Sequence, residues 1–346
     1  MTRFLAALTA VLMALTLAAC GAKAEPVTRQ IIAMDTAMSF SVYGEKADEA
    51  VQAMVKEVQR LEGMLSRTDP SSEIGQLNRM PGQSVEVGAE VAALLQRAGT
   101  FTESTGGAFD ITIAPVMEAW GFTTDSYHVP ETETLERLLA GMSMEHVRVD
   151  GTSALLDEGT KVDLGGIAKG YASDRLEAIM TEYGVEQGWI DLGGNLMVRG
   201  SKPDGTAWRV GVKDPMDPES GTLVGVVALK DAFAVTSGGY ERFFEEDGET
   251  YHHIIDPATG YPARSGLKSV TVVADCREEG NGAMCDALST ALFVMGEDGA
   301  LEFWRNSGLT FDLVMVTEDG RVVVTAGIAE GFSGSEGNEY AYETVS

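Results

Sequence analysis

Four stretches of the chain carry side chains whose types and spacing could do chemistry. In Val162-Asp-Leu-Gly-Gly-Ile-Ala-Lys-Gly170 the pattern predicts a strand ending in Asp163, a glycine turn and a helix start. Free N–H groups and the positive end of a helix make such a turn a natural anion site, and Gly165 and Gly166 let a ligand approach the backbone. Lys169, in the first helical turn, opposes the helix dipole, a conflict that a bound phosphate would resolve. The same spacing also fits a tight turn with a solvated lysine. In Cys285-Asp-Ala-Leu-Ser-Thr290, Asp286 and Thr290 lie four apart and share one helix face. Carboxylate and hydroxyl are hard oxygen donors suited to Mg²⁺ rather than Zn²⁺, although a solvated Asp286 and a Thr290 bonded to its own helix would look the same. Tyr251-His-His-Ile-Ile-Asp-Pro-Ala-Thr-Gly260 places His252 and His253 on opposite faces of a short strand before an Asp-Pro turn. A neutral histidine there can take a proton from a hydroxyl, or the pair is one packed and one exposed ring. Finally, Thr105-Gly-Gly-Ala-Phe-Asp-Ile-Thr-Ile-Ala-Pro115 sets Phe109 beside Asp110, a ring and a carboxylate able to meet an aromatic heterocycle and its polar edge, or else a loop feeding the core.

These residues need elements to hold them. Met38, Phe40 and Val42 alternate with polar residues within 34–43, a half-buried strand. Apolar residues from Ala47 to Leu65 recur at three- and four-residue steps, an amphipathic helix spanning 46–65. A second helix runs through Val91, Leu94, Leu95 and Ala98 to about Gly106. Helices are expected over 167–183, 282–295 and 299–306, and short strands over 147–149, 154–156, 189–192, 208–212, 223–229, 251–255 and 269–274. A final hairpin, 311–317 with 322–325, turns at Asp319-Gly320. Helices mixed with mostly antiparallel strands and no regular βαβ alternation read as α+β.

The chain of 346 residues holds 25 basic and 53 acidic side chains, a net charge of −28. So acidic a surface repels nucleic-acid backbones and anionic lipids; any anionic ligand must be met locally. Residues 4–17 form an uncharged apolar run after Arg3, and Leu17-Ala18-Ala19-Cys20 follows. Residues 1–19 thus read as a secretory signal, with Cys20 at the place where a bacterial lipobox is lipidated, 20–28 as a tether, and 29–346 as one domain outside the cytoplasm. Cys276 and Cys285 could pair in an oxidising compartment or remain free thiols.

Together and in order, the segments MDTAMSFSVYG, LSRTDPSSEIGQLN, TGGAFDITIAPVMEAWGF, VDLGGIAKGYASDRL, IDLGGN, VTSGGYERFF, YHHIIDPATGYP and DALSTALFVMG resemble the ApbE family of FAD:protein FMN transferases, over about Met34 to Thr325. The resemblance implies an ApbE-like fold and a Mg²⁺-dependent transfer of the FMN half of FAD to a Ser or Thr hydroxyl of an acceptor protein, with release of AMP. It places the flavin near Met34, Ala108, Phe109 and Asp110, ligand contacts at Asp163, Lys169, His253 and Ile254, and metal ligands at the Gly166 carbonyl, Asp286 and Thr290. It casts His253 as the residue activating the acceptor hydroxyl, with Lys169 assisting and Asp256 and Thr259 shaping the turn. It implies a lipoprotein whose acceptors are exported flavoproteins, such as subunits of membrane electron-transfer complexes or extracellular reductases. Thr68 stands where the family often carries a flavin-stacking tyrosine, and Cys285 where alanine is usual; a Cys276–Cys285 disulfide would brace the metal helix. An FAD pyrophosphatase, with water as acceptor, or a non-catalytic FAD-binding lipoprotein would use the same site.

Overall fold

A computed structural model describes residues 25–124 and 126–346. The expected signal, Cys20 and most of the expected tether lie outside the described residues. Nine strands form the main sheet, and they lie side by side in chain order: β1 (Val27–Ala33), β2 (Thr36–Tyr43), β3 (Gln187–Asp191), β4 (Asn195–Arg199), β5 (Ala232–Gly238), β6 (Leu267–Asp275), β7 (Asp312–Thr317), β8 (Arg321–Thr325) and β9 (Ala341–Val345). Every neighbouring pair is antiparallel except β8 with β9. Helices α1 (Ala47–Leu65), α2 (Gly88–Ser104), α3 (Ala168–Tyr183) and α4 (Asn281–Asn306) contribute to the core on one face of the sheet. A three-stranded sheet (Trp208–Lys213, Leu223–Leu229 and Phe332–Gly334) covers part of the other. The α+β class with mostly antiparallel sheets and flanking helices is as the sequence implies.

Alternation along the central strands shows why two layers are needed. On β7, Leu313 and Met315 enter the helix-side core, while Val314 and Val316 enter the core beneath the small sheet. A strand buried on both faces reads as a continuous apolar run. That explains the principal omission of the sequence reading: β5, in the middle of the sheet, begins Ala232-Phe-Ala-Val235 and runs into Thr-Ser-Gly-Gly, which shows no period of two and resembles a loop. On β2, by contrast, Met38, Phe40 and Val42 are all buried as the alternation requires.

Two boundaries change near the site. The Glu249–His252 strand stops before His253, so that residue starts a loop instead of lying within a strand. No strand precedes Asp163 either. There the side-chain amide of Asn78 does what a neighbouring strand would: its Nδ2 donates to the Val162 carbonyl and its Oδ1 accepts the Val162 N–H, both at 2.8 Å. Helix α4 breaks at Gly296 (φ 76°, ψ 177°), which reconciles one long element with the two helices expected there. Cys276 and Cys285 are buried free thiols, so no disulfide braces α4.

Candidate active site

A cavity of about 1620 Å³ opens between the helix layer, the ends of β2 to β5 and the small sheet. Met34, Ala108, Phe109, Asp110, Asp163, Gly166, Lys169, His253, Ile254, Asp286 and Thr290 all line it. Fold closure thus gathers every ligand-contacting and metal-ligating residue expected from the sequence, while His252, Asp256 and Thr259 lie outside the lining.

The β1–β2 turn presents Met34. Met34 and Asp35 both have positive φ (49° and 58°), a conformation disfavoured for residues with a Cβ. Glu62 on α1 holds the turn by accepting the Met34 N–H at 2.7 Å. Across the cavity, Phe109 is only 4% exposed. Its ring packs against Gly166, where an added Cβ would lie 3.1 Å from Phe109 Cε2, so it supports the glycine turn as much as it faces the opening. Asp110 spends one carboxylate oxygen on the N–H and hydroxyl of Thr112, both at 2.7 Å, and burial raises its pKa.

The start of α3 departs from a simple anion site. Gly165 N–H goes to Asp163 Oδ1 (2.9 Å), and those of Ile167 and Ala168 go to the Leu164 carbonyl. The N–H of Gly170 donates to Asp286 Oδ2 at 2.8 Å. The anion at this helix end is therefore the carboxylate of Asp286, brought in from α4, rather than a ligand phosphate meeting a row of free donors. Lys169 is half-buried in the cavity wall, and its Nζ donates to the Gly193 carbonyl at 2.9 Å.

Around Asp286 the donors are all oxygen. Burial raises its pKa against the pull of Lys169 and the bonds from Gly170 and Asn195. Asn195 Nδ2 reaches Asp286 Oδ1 at 3.4 Å, and Asn195 Oδ1 is buried without a hydrogen-bond partner. Thr290 Oγ1 lies 3.4 Å from Ser237 Oγ and beside Gly166. A buried carboxylate resisting ionisation, an orphaned amide oxygen and two hydroxyls make a donor set that fits a hard divalent cation. Among the described residues no three His, Cys, Asp or Glu side chains cluster as a metal site, so a cation here would depend on neutral oxygens.

His253 is fixed from behind. The Arg242 carbonyl, which can only accept, lies 3.2 Å from Nδ1, so Nδ1 carries the proton and Nε2 keeps a lone pair. Burial, then the charge of Arg242, pushes the His253 pKa down to about 3. His252 plays a different part: Nε2 donates to the Ala263 carbonyl at 3.1 Å, Nδ1 accepts from Ile254 N–H, and the ring stands edge-on to Phe293. Asp256 builds the following turn by accepting from Ala258 N–H (2.8 Å) and the Thr259 hydroxyl (3.2 Å).

The structure adds residues to which the sequence reading gave no role. Arg67 forms an ion pair with Asp163 from a position 96 residues away. Asn195, Ser237, Glu241 and Arg242 join the lining. Each lay within a segment quoted for the resemblance, but only the closed fold shows what it touches. Thr68 lines the wall where an aromatic residue was missed, its hydroxyl 3.3 Å from that of Ser66. Local charge is more mixed than the sequence suggests. Arg67, Lys169, Lys213 and Arg242 share the lining with Asp35, Glu62, Asp69, Asp110, Asp163, Asp191, Glu219, Glu241 and Asp286. Protein cations alone do not make this cavity positive.

Architecture and site together define an α+β protein with a large, oxygen-lined polar cavity. The chain belongs to the ApbE family, whose model matches residues 34–315. A protein of Treponema pallidum (strain Nichols) named FAD:protein FMN transferase is 32% identical over 335 residues, 90% of each chain. The crystal structure of the ApbE protein of Thermotoga maritima superposes with a TM-score of 0.77 at 35% identity, covering 90% of this chain and 97% of that one. The apo form of the Pseudomonas stutzeri flavinyl transferase ApbE gives 0.75 at 25% identity, covering 86% and 93%.

Proposed function

We propose that this protein is an FAD:protein FMN transferase that moves the FMN half of FAD onto a Ser or Thr hydroxyl of an acceptor protein and releases AMP. The observation that carries the proposal is one cavity in which the free Nε2 of a neutral His253 and the oxygen set around Asp286 face the same space. The space exceeds the roughly 300–1,000 Å³ of ordinary small-ligand pockets, which suits a dinucleotide together with an entering acceptor segment.

In this reading the acceptor oxygen forms a bond to the FMN-side phosphorus, and the bond from that phosphorus to the bridging oxygen breaks, leaving AMP. His253 Nε2 takes the hydroxyl proton, which its Nδ1–H tautomer leaves it placed to do. Lys169, tied to Gly193, holds one positive charge at the phosphates, while Met34 and Phe109 bound the flavin end. Asp286, Thr290 and the Gly166 carbonyl would hold Mg²⁺, with Asn195 and Ser237 beside them; the ion would neutralise phosphate oxygens that the acidic lining otherwise repels. The lining itself favours a metal-dependent site, because carboxylates outnumber basic side chains around it.

We further propose that residues 1–19 are a signal, that Cys20 is lipidated, and that residues 29–346 act as one domain on the extracytoplasmic face of the cell membrane. The apolar run and the Leu-Ala-Ala-Cys sequence support this. The acceptor is then an exported flavoprotein. Incubation with FAD, Mg²⁺ and such an acceptor tests the activity: flavin covalently on the acceptor with stoichiometric AMP is expected. AMP with free FMN and an unmodified acceptor would mark a pyrophosphatase, and tight FAD binding without AMP a non-catalytic carrier.

A further inference from the structure

Helices α3 and α4 carry the same pattern at their starts. Gly170 is followed four residues later by Asp174, and Gly282 four residues later by Asp286. The two patterns cross face to face. Asp286 of α4 accepts the Gly170 N–H of α3 at 2.8 Å. Asp174 of α3 accepts the Gly282 and Ala283 N–H groups of α4 at 2.7 and 3.0 Å. Each helix thus supplies the capping carboxylate for the other's N-terminus. The glycines allow it, since a Cβ on Gly170 would fall 2.2 Å from the Gly282 carbonyl oxygen, and one on Gly282 2.4 Å from that of Gly170.

The two carboxylates face different surroundings. Asp286 lines the cavity; Asp174 does not. Asp174 spends one oxygen on each of two N–H donors. Those donors begin the helix that carries both Asp286 and Thr290, the latter two turns further on. We propose that Asp174 is a positioning residue: by clamping the first turn of α4 it fixes where the Asp286 carboxylate and the Thr290 hydroxyl stand, and so sets the affinity of the site for a divalent cation. The inference rests on the metal reading above. Outer groups that orient ligands typically change metal affinity by about 10–100-fold when removed, and Asp174, outside the cavity lining, acts here only through α4.

The test compares the full-length wild type with Asp174→Ala and Asp174→Asn. Mg²⁺ affinity is measured by calorimetry, alongside the Mg²⁺ concentration giving half-maximal AMP release from FAD. Val324→Ala, in the core on the far face of the sheet, supplies a destabilised control. Asp174→Ala should weaken Mg²⁺ binding about 10-fold or more while kcat at saturating Mg²⁺ stays near wild type; Asp174→Asn, keeping one acceptor oxygen, should fall between. Val324→Ala should lower Tm and leave Mg²⁺ affinity unchanged. Should Asp174→Ala fail to fold, the Asn variant carries the comparison. A folded Asp174 variant with wild-type Mg²⁺ affinity, or a loss no greater than the control's, would overturn the inference. A wild type with no Mg²⁺ dependence in either readout would remove the metal reading itself.

Discussion

The backbones of Gly170 and Gly282 meet so closely that a methyl group on either would strike the other's carbonyl oxygen. This contact brings the N-termini of α3 and α4 together, and it seats Asp286 at one of them. Gly170→Ala would also place its Cβ 2.5 Å from that of Asp286. We expect it to cost about 3 kcal/mol or more, in the upper range for overpacking, and to depress AMP release. Gly63→Ala, with no atom near its added Cβ, should instead hold or raise stability, as glycine inside a helix costs roughly 0.5–1 kcal/mol relative to alanine. Urea denaturation of both variants checks the contrast, and equal stabilities would refute the close contact.

Asp286→Ala should abolish Mg²⁺-dependent AMP release. Because the carboxylate also caps α3, stability should fall by about 1 kcal/mol, the usual worth of an N-cap. Chelation with EDTA should mimic the activity loss while leaving the Asp286 cap on α3 in place, and Mg²⁺ should restore activity. Full activity in the variant would take Asp286 out of the site.

His253→Ala should slow transfer while leaving FAD binding, read by flavin fluorescence, nearly intact. With its pKa near 3, the wild-type imidazole stays neutral through pH 5 to 8, so activity should show no inflection near 6.5 from this residue. Stability follows with a definite sign. The unfolded histidine takes up a proton near 6.5 and the folded one does not, so stability is lost as pH falls from about 6.5 towards 3 and is unaffected above. An activity step at pH 6.5 that vanishes in His253→Ala would contradict the buried neutral ring.

Arg67→Met should leave Asp163, only 9% exposed, without its guanidinium partner. Breaking such a pair costs about 3–5 kcal/mol. Adding Asp163→Asn should recover much of the loss, because the stranded charge is then gone. Thermal unfolding of the single and double variants decides this; additive losses would show that the two side chains are energetically independent.

Much of the site was legible without coordinates because its parts are local. The i, i+4 spacing of Asp286 and Thr290 puts them on one helix face in any fold, and Asp256 shapes its turn through bonds to residues two and three along. Alternation placed β2, and the three- and four-residue period placed α1 to within one residue. Elsewhere the order of the segments, rather than any period, pointed to the family.

What the tertiary structure decided is everything that depends on partners distant in sequence. Sequence alone suggested free donors at the start of α3, but Asp163 and the Leu164 carbonyl take three of them and Asp286, from 116 residues away, takes that of Gly170. It suggested a cation in Lys169, but not that Arg67 would neutralise Asp163 from 96 residues away or that so many carboxylates would share the wall. It allowed a disulfide that the buried thiols do not form. Hydrogen-bond satisfaction and burial are properties of the closed chain: a donor counts as free, or a carboxylate as costly, only once the fold has fixed what lies beside it.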